Sequence, residues 1–236
     1  MTDHFQGKAV PAHLKEARAK GFIASSEIHG TELSGFRAAA CDAAKDTAIA
    51  LLLLSLLIDD WGVLALFACG LFVWKVGRSA LLGWARLERL HRLIEEERYE
   101  IEHHRHQERG ELTELYRLKG FEGKLLEEVI DVLMADDDRL LKVMLEEELG
   151  LSLHTHEHPL KQACGSALGV LASSLLILLA WHFYLEPFSA VLVLIAASIW
   201  GARGARNRAT PVVIWNLSVA ALSYGVVYFL ITQLIS

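Results

Sequence analysis

Four glutamates in one charged stretch are spaced for cation binding. Glu97-x-x-Glu100 is followed 11 residues later by Glu108-x-x-Glu111. At about 100° per residue, a shift of 11 returns to within about 20° of the starting direction. On one continuous helix the four carboxylates would share an arc of about 80°. A break near Gly110 would instead swing Glu111 round to face the others, and Glu114 lies three residues further on. Met144 and Glu148, at i and i+4, share a face of a later helix and add a thioether and a carboxylate. Carboxylates suit hard divalent cations; the thioether and imidazoles such as His103 shift the preference towards Fe(II), Mn(II), Co(II) or Zn(II). The competing reading is a solvated acidic face paired with Arg98, Arg105 and Arg109. Two histidine groups, His103/His104/His106 and the alternating His154/His156/His158, have the composition of metal tracts without a defined geometry, and surface histidines are the simpler reading.

A second set of ionisable residues lies inside apolar blocks: Asp42 and Asp46 in the first, Lys75 and Arg78 in the second. Charge in a span is costly, so such residues mark function or are paired. With the first block ending near Ile58, Asp46 lies about 18 Å and Asp42 about 24 Å from that end. With the second starting near Trp61, Lys75 lies about 21 Å and Arg78 about 25 Å in. Two rungs are therefore available, Asp46 with Lys75 and Asp42 with Arg78, and ion pairing is favoured over metal ligation at these four positions. A desolvated Lys75 that loses its proton and couples proton movement is the alternative.

The elements that must position these residues follow from the hydropathy. Of 236 residues 53% are hydrophobic and 22% charged, and the apolar ones are gathered at 38–58, 61–84, 163–184, 188–203 and 210–235. About 20 apolar residues cross a bilayer as a helix. The expected fold is all-α and polytopic, with five transmembrane helices. A nucleic-acid binder, a secreted domain and an ordinary soluble enzyme are excluded. The expected organisation is an N-terminal arm over 1–37, spans 1 and 2 over 38–84, a three-helix insertion over 85–160, and spans 3–5 over 161–236. Lys and Arg are missing from the connections at Asp59-Asp60 and at residues 183–187, the latter a tight joint between the third and fourth helices at Pro187. The positive-inside rule then makes the N-terminus and the insertion cytoplasmic and puts Ser236 outside. The first 35 residues show no apolar signal segment, and Pro11 is a candidate start for a short interfacial helix. Cys41, Cys69 and Cys164 form no C-x-x-C pair and read as small membrane-core residues. Short loops and an Ala/Leu/Arg-rich composition suit a bacterial inner membrane.

Within the insertion, no Gly or Pro interrupts 84–109, so the second span is expected to run on as one helix with breaks at Gly110 and Gly120. Two further helices are expected, Leu125–Met134 and Asp137–Leu149. Asp136 to Asp138 supply the cap and first-turn charge of the latter, and Gly150 its stop.

The order of parts resembles the vacuolar iron transporter family. The residues that carry the resemblance are Glu97, Glu100, Glu108 and Glu111, Glu114-Leu115-Tyr116 with Lys119-Gly120, and Leu133-Met134-Ala135-Asp136. Met144, Glu148-Leu149-Gly150, the run from Pro159 to Ala163, and the stretch from Gly204 through Tyr224 to Leu230 continue it. The resemblance covers most of 37–236 and implies that Glu97, Glu100, Glu108, Glu111, Met144 and Glu148 are metal ligands. It also implies a homodimer whose first spans line an ion path, and divalent-metal/proton antiport. The sequence departs from the family's pattern at Leu145, where a carboxylate often follows the Met. It departs again at Ala43-Ala44-Lys45-Asp46-Thr47, in place of a Gly-Ala-Asn-Asp-Gly-like turn, and at Trp74–Ser79, which lacks the Met and carboxylate of the ion path.

The expected function is a non-enzymatic transporter moving Fe(II) or Mn(II) out of the cytoplasm, with Zn(II) or Co(II) as further candidates. The alternative is a non-transporting buffer or sensor whose membrane site is replaced by Asp–Lys/Arg pairs. A di-iron oxidoreductase, suggested by Glu88-x-x-His91 and Glu100-x-x-His103, needs those motifs on facing helices, whereas both fall on one.

Overall fold

The computed structural model describes residues 35–148 and 158–234, together with Ala12 and Lys15, which are helical. The rest of the N-terminal arm, with Pro11, and His154, His156 and Gly150 lie outside the described residues, as does the side chain of Glu148. The described residues are all-α: α1 (Phe36–Ser55), α2 (Trp61–His103), α3 (Arg105–Leu118), α4 (Gly123–Met134), α5 (Asp137–Val143) running into a π-turn (Met144–Glu148), α6 (Pro159–Trp181), α7 (Glu186–Gly204) and α8 (Ala209–Leu234). The chain divides into two compact units, one of residues 1–30 and 85–156 and the other of 31–84 and 157–236.

In the second unit, four helices are long and apolar enough to cross a membrane: α2, α6, α7 and α8. Five were expected. The helix that fails is α1, because Arg37, Asp42, Lys45 and Asp46 load it with charge. Its surroundings explain how that charge is tolerated. It packs against α6 and α7 through Ala39, Ala40, Ala43 and Ala48, with Leu51 and Leu52 deeper in, so one face meets protein throughout. α6 matches it with a small-x-x-x-small pair: a Cβ on Gly165 would lie 2.1 Å from the Phe36 carbonyl oxygen, and one on Gly169 2.2 Å from that of Ala40. Two backbones meet there, as at other close helix contacts in membranes. The apolar core above this contact joins Ala48, Leu51 and Leu52 to Ala68, Ile177, Ala190 and Val193. α7 and α8 are joined by an Asn216 Nδ2–H bond to Ser198 Oγ, 2.9 Å. The α6–α7 connection is short, with Pro187 in the first turn of α7, as the sequence predicts.

In the first unit, the expected uninterrupted helix is broken at His104 (φ −124°, ψ 24°) rather than at Gly110, which sits inside α3. Gly120 does mark a turn, at φ +91°. The expected helix over Asp137–Leu149 is observed as α5 plus the π-turn, capped by the Asp136 side chain accepting from the Arg139 amide at 2.8 Å. The insertion is thus built from the end of α2, α3, α4 and α5 with its π-turn, one segment more than expected. Its core joins Leu90, Ile101, Leu112, Leu115, Leu126, Ile130, Leu140 and Met144.

Overpacking a close contact between two backbones has no side-chain route of relief. Gly169→Val is expected to destabilise the folded protein by about 2–3 kcal/mol, read from denaturant titration in detergent. Gly110→Ala, where nothing lies within 4 Å of the added carbon, should be neutral or stabilising.

Candidate metal centre

The break at His104 sets the geometry of the acidic site. It puts Glu97 and Glu100 on the last turns of α2 and Glu108 and Glu111 on the first turns of α3. Local contacts hold the two sides of the corner. On α2, the His103 ring stacks on Tyr99 at 4.0 Å, and its Nδ1–H donates to the Tyr99 carbonyl at 2.9 Å. On α3, Arg105 donates to Asp137 and to the Met134 carbonyl, both at 2.5 Å, and Arg109 to Asp131 at 2.5 Å. These arginines were the candidate partners for a solvated glutamate face; they are directed to α4 and α5 instead.

The glutamates are not a solvated face. Glu108 is 0%, Glu111 1% and Glu97 5% exposed. Along α3 the buried positions are 108, 111, 112 and 115, the 3.6-residue stripe of an amphipathic helix, and its first two places are taken by carboxylates. Burial pushes the Glu108 carboxyl from an ordinary 4.5 up to about 10, with the charges of Glu97, Glu111 and Glu100 adding in that order. The contributions of Glu97, Glu111 and Glu100 put these three carboxylates within electrostatic reach of Glu108. Met144, fully buried, belongs to the apolar core of the same unit with Leu112 and Leu140. Glu114 is instead paired along its own helix with Arg117, at 2.6 Å. Among the described residues no group of three His, Cys, Asp or Glu side chains stands arranged to hold a metal ion. The carboxylates would have to draw together around one.

In the membrane unit, Lys75 Nζ meets Asp46 Oδ2 at 2.5 Å, the first of the two expected rungs. The Lys75 side chain is 11% exposed and that of Asp46 63%. At the second rung Asp42 pairs with Lys45, three residues along α1, at 2.9 Å, where the sequence offers Arg78. A neighbour one turn away on the same helix is reached without bridging between helices. Lys45 is the residue sequence reasoning missed, although the Asp42-x-x-Lys45 spacing signals it.

A membrane protein with several spans and an inserted helical domain carrying buried carboxylates is thereby defined. The sequence model of the VIT family, the vacuolar iron transporters, matches residues 84–235. The chain belongs to that family, one of membrane transporters rather than enzymes. The match takes in the insertion and α6 to α8; the Asp46–Lys75 pair lies before it. No curated protein and no solved structure matches the chain.

The Glu108 shift carries a sign. Between pH 4.5 and about 10 the folded chain keeps a proton that the unfolded chain releases. This contribution to stability is full below the lower value and is lost as pH rises through the window. The thermal midpoint of the metal-free protein should therefore fall from pH 5 to pH 9 by more than that of Glu108→Gln. The variant should match the parent at pH 5 and exceed it at pH 9. Parallel profiles would contradict the assignment.

Proposed function

We propose that the chain is a divergent VIT-family protein that binds a divalent cation on its insertion and holds its membrane half closed with an ion pair. The reading is a membrane-bound metal buffer or sensor. The observation that carries it is the Lys75–Asp46 contact. Here an ammonium occupies the level at which the family resemblance calls for a soft or anionic ligand, and it repels a divalent cation. The insertion supplies the binding half of the proposal. Glu97, Glu100, Glu108 and Glu111 concentrate negative charge in a buried place, and a cation there would relieve their mutual repulsion. Met144 adds a softer donor to this ligand set and Glu148 belongs to it by the family resemblance, which favours Fe(II) or Mn(II), with Co(II) and Zn(II) as competitors.

Transport out of the cytoplasm, coupled to protons, is the second reading, and family membership favours it. In both, α1 crosses the membrane as a fifth helix with the N-terminus and insertion on the cytoplasmic side. A second copy packs on α1. The open flank of Asp46 supports that assembly, since a carboxylate at this depth needs cover from protein or water.

Mn(II) uptake by vesicles holding the full chain, set beside equilibrium Mn(II) binding by the same preparation, tests the proposal. Binding without uptake is expected, from a particle of two chains by mass measurement. Lys75→Met should lower stability by about 1–3 kcal/mol, less than a fully buried pair costs because Asp46 is open. Adding Asp46→Asn should restore much of the loss. Uptake by the parent, or uptake raised by Lys75→Met without loss of stability, would overturn the closed-path reading in favour of transport.

A further inference from the structure

The membrane unit holds two adjoining cavities of opposite character. The first, about 660 Å³, is lined where α1 and α6 begin and α7 ends by Arg37, Asp42, Lys45, Lys161 and Asn207, among smaller residues. The second, about 680 Å³, is walled by Leu168, Ala172, Leu176, Leu192 and Ala196 of α6 and α7, over one face of α1. Phe36, Cys41, Ala197 and Trp200 line both.

The charge of the first cavity selects an anion. Among the described residues that line it, Arg37, Lys45 and Lys161 are cationic and Asp42, paired with Lys45 at 2.9 Å, is the carboxylate. Arg37 is seated for the purpose. Its guanidinium carbon lies 5.7 Å from the centre of the Trp200 ring. Its stem crosses Gly204 so closely that a Cβ there would stand 2.4 Å from Arg37 Cδ. Trp200, a residue type favoured at the headgroup level of membranes, thus fixes a cation in the cavity wall. Arg203, Arg206 and Arg208 follow at the same end of α7. Basic pockets between spans suit phosphate headgroups. The apolar groove continuing from the cavity then selects an anion that carries hydrocarbon. Leu168, Ala172 and Leu176 repeat every fourth residue and cover about 12 Å of α6, room for a stretch of acyl chain.

We propose that the two cavities form one binding site for an anionic glycerophospholipid, with its phosphate held by Arg37 and Lys161 and an acyl chain laid between α6 and α7. The site is separate from the acidic centre and independent of whether the protein transports.

The test uses the full chain, stripped of lipid in detergent and titrated with phosphatidylglycerol, phosphatidylcholine of the same tails, or inorganic phosphate. Bound lipid is counted by native mass spectrometry and thermal midpoints are recorded in parallel. Phosphatidylglycerol should bind and raise the midpoint, phosphatidylcholine should bind at least about fivefold more weakly, and phosphate alone should do neither. Each cation removed should cost about fivefold. Lys161→Gln, an exposed first-turn change, should weaken phosphatidylglycerol by that factor, and Arg37→Gln with Lys161→Gln by about 25-fold, both weakening the zwitterionic phosphatidylcholine less, so that the preference shrinks. Ala172→Phe, filling the groove, should weaken both lipids. Equal binding of the two lipids by the parent would overturn the proposal, as would an unaltered phosphatidylglycerol preference in Lys161→Gln. A midpoint shift from phosphate alone as large as that from lipid would make this a free-anion site and overturn the lipid assignment.

Discussion

Burying carboxylates in the apolar stripe of a small helical unit is the constraint on which the insertion depends. Glu108 and Glu111 occupy places on α3 that lead directly into Leu112 and Leu115, and Glu97 occupies the corresponding kind of place between Leu90 and Ile101 on α2. Replacing a core side chain by a charge is unfavourable unless the charge is neutralised. Neutralisation is available here by a proton, which the Glu108 carboxyl keeps up to about pH 10, or by a cation. The corner at His104 brings the two Glu-x-x-Glu pairs from separate helices to one place. The Arg105 and Arg109 bonds to α4 and α5 fix that corner from outside while directing guanidinium charge elsewhere. Under the proposed function, stability is exchanged for a place where a proton and a metal compete.

The membrane unit solves a related problem differently. α1 carries four ionisable residues, so it cannot face lipid all round. Glycines on α6 admit its backbone at contact distance, Lys45 and Lys75 neutralise its two aspartates, and Arg37 is drawn to its end, over Trp200. Every charge on this helix therefore has an oppositely charged or aromatic neighbour, and the helix can remain within a bundle whose other members are apolar enough to span alone.

Much of this was legible from residue types. Long apolar blocks announced α2, α6, α7 and α8, Asp136 announced the cap of α5, and Pro187 the start of α7. Depth arithmetic paired Asp46 with Lys75. Other features were illegible for identifiable reasons. No Gly or Pro marks the break at His104, which is held by tertiary bonds from Arg105, whereas Gly110, a nominal breaker, is accommodated inside α3. The Asp42–Lys45 pair competes with a cross-helix rung to Arg78, and a spacing of three on one helix is the shorter route. Burial of the glutamates was readable in principle, because Glu108, Glu111, Leu112 and Leu115 form a single stripe. A count of charge alone suggested a solvated face.

If the acidic quartet is where proton and cation compete, binding must displace the proton that Glu108 holds. Calorimetric titration of the full chain with Mn(II) at pH 7, in two buffers of different ionisation enthalpy, measures this directly. The account predicts that about one proton is released per cation bound, that affinity rises with pH, and that Glu108→Gln binds without this release. Binding that is proton-neutral in the parent, or proton release undiminished in Glu108→Gln, would contradict it.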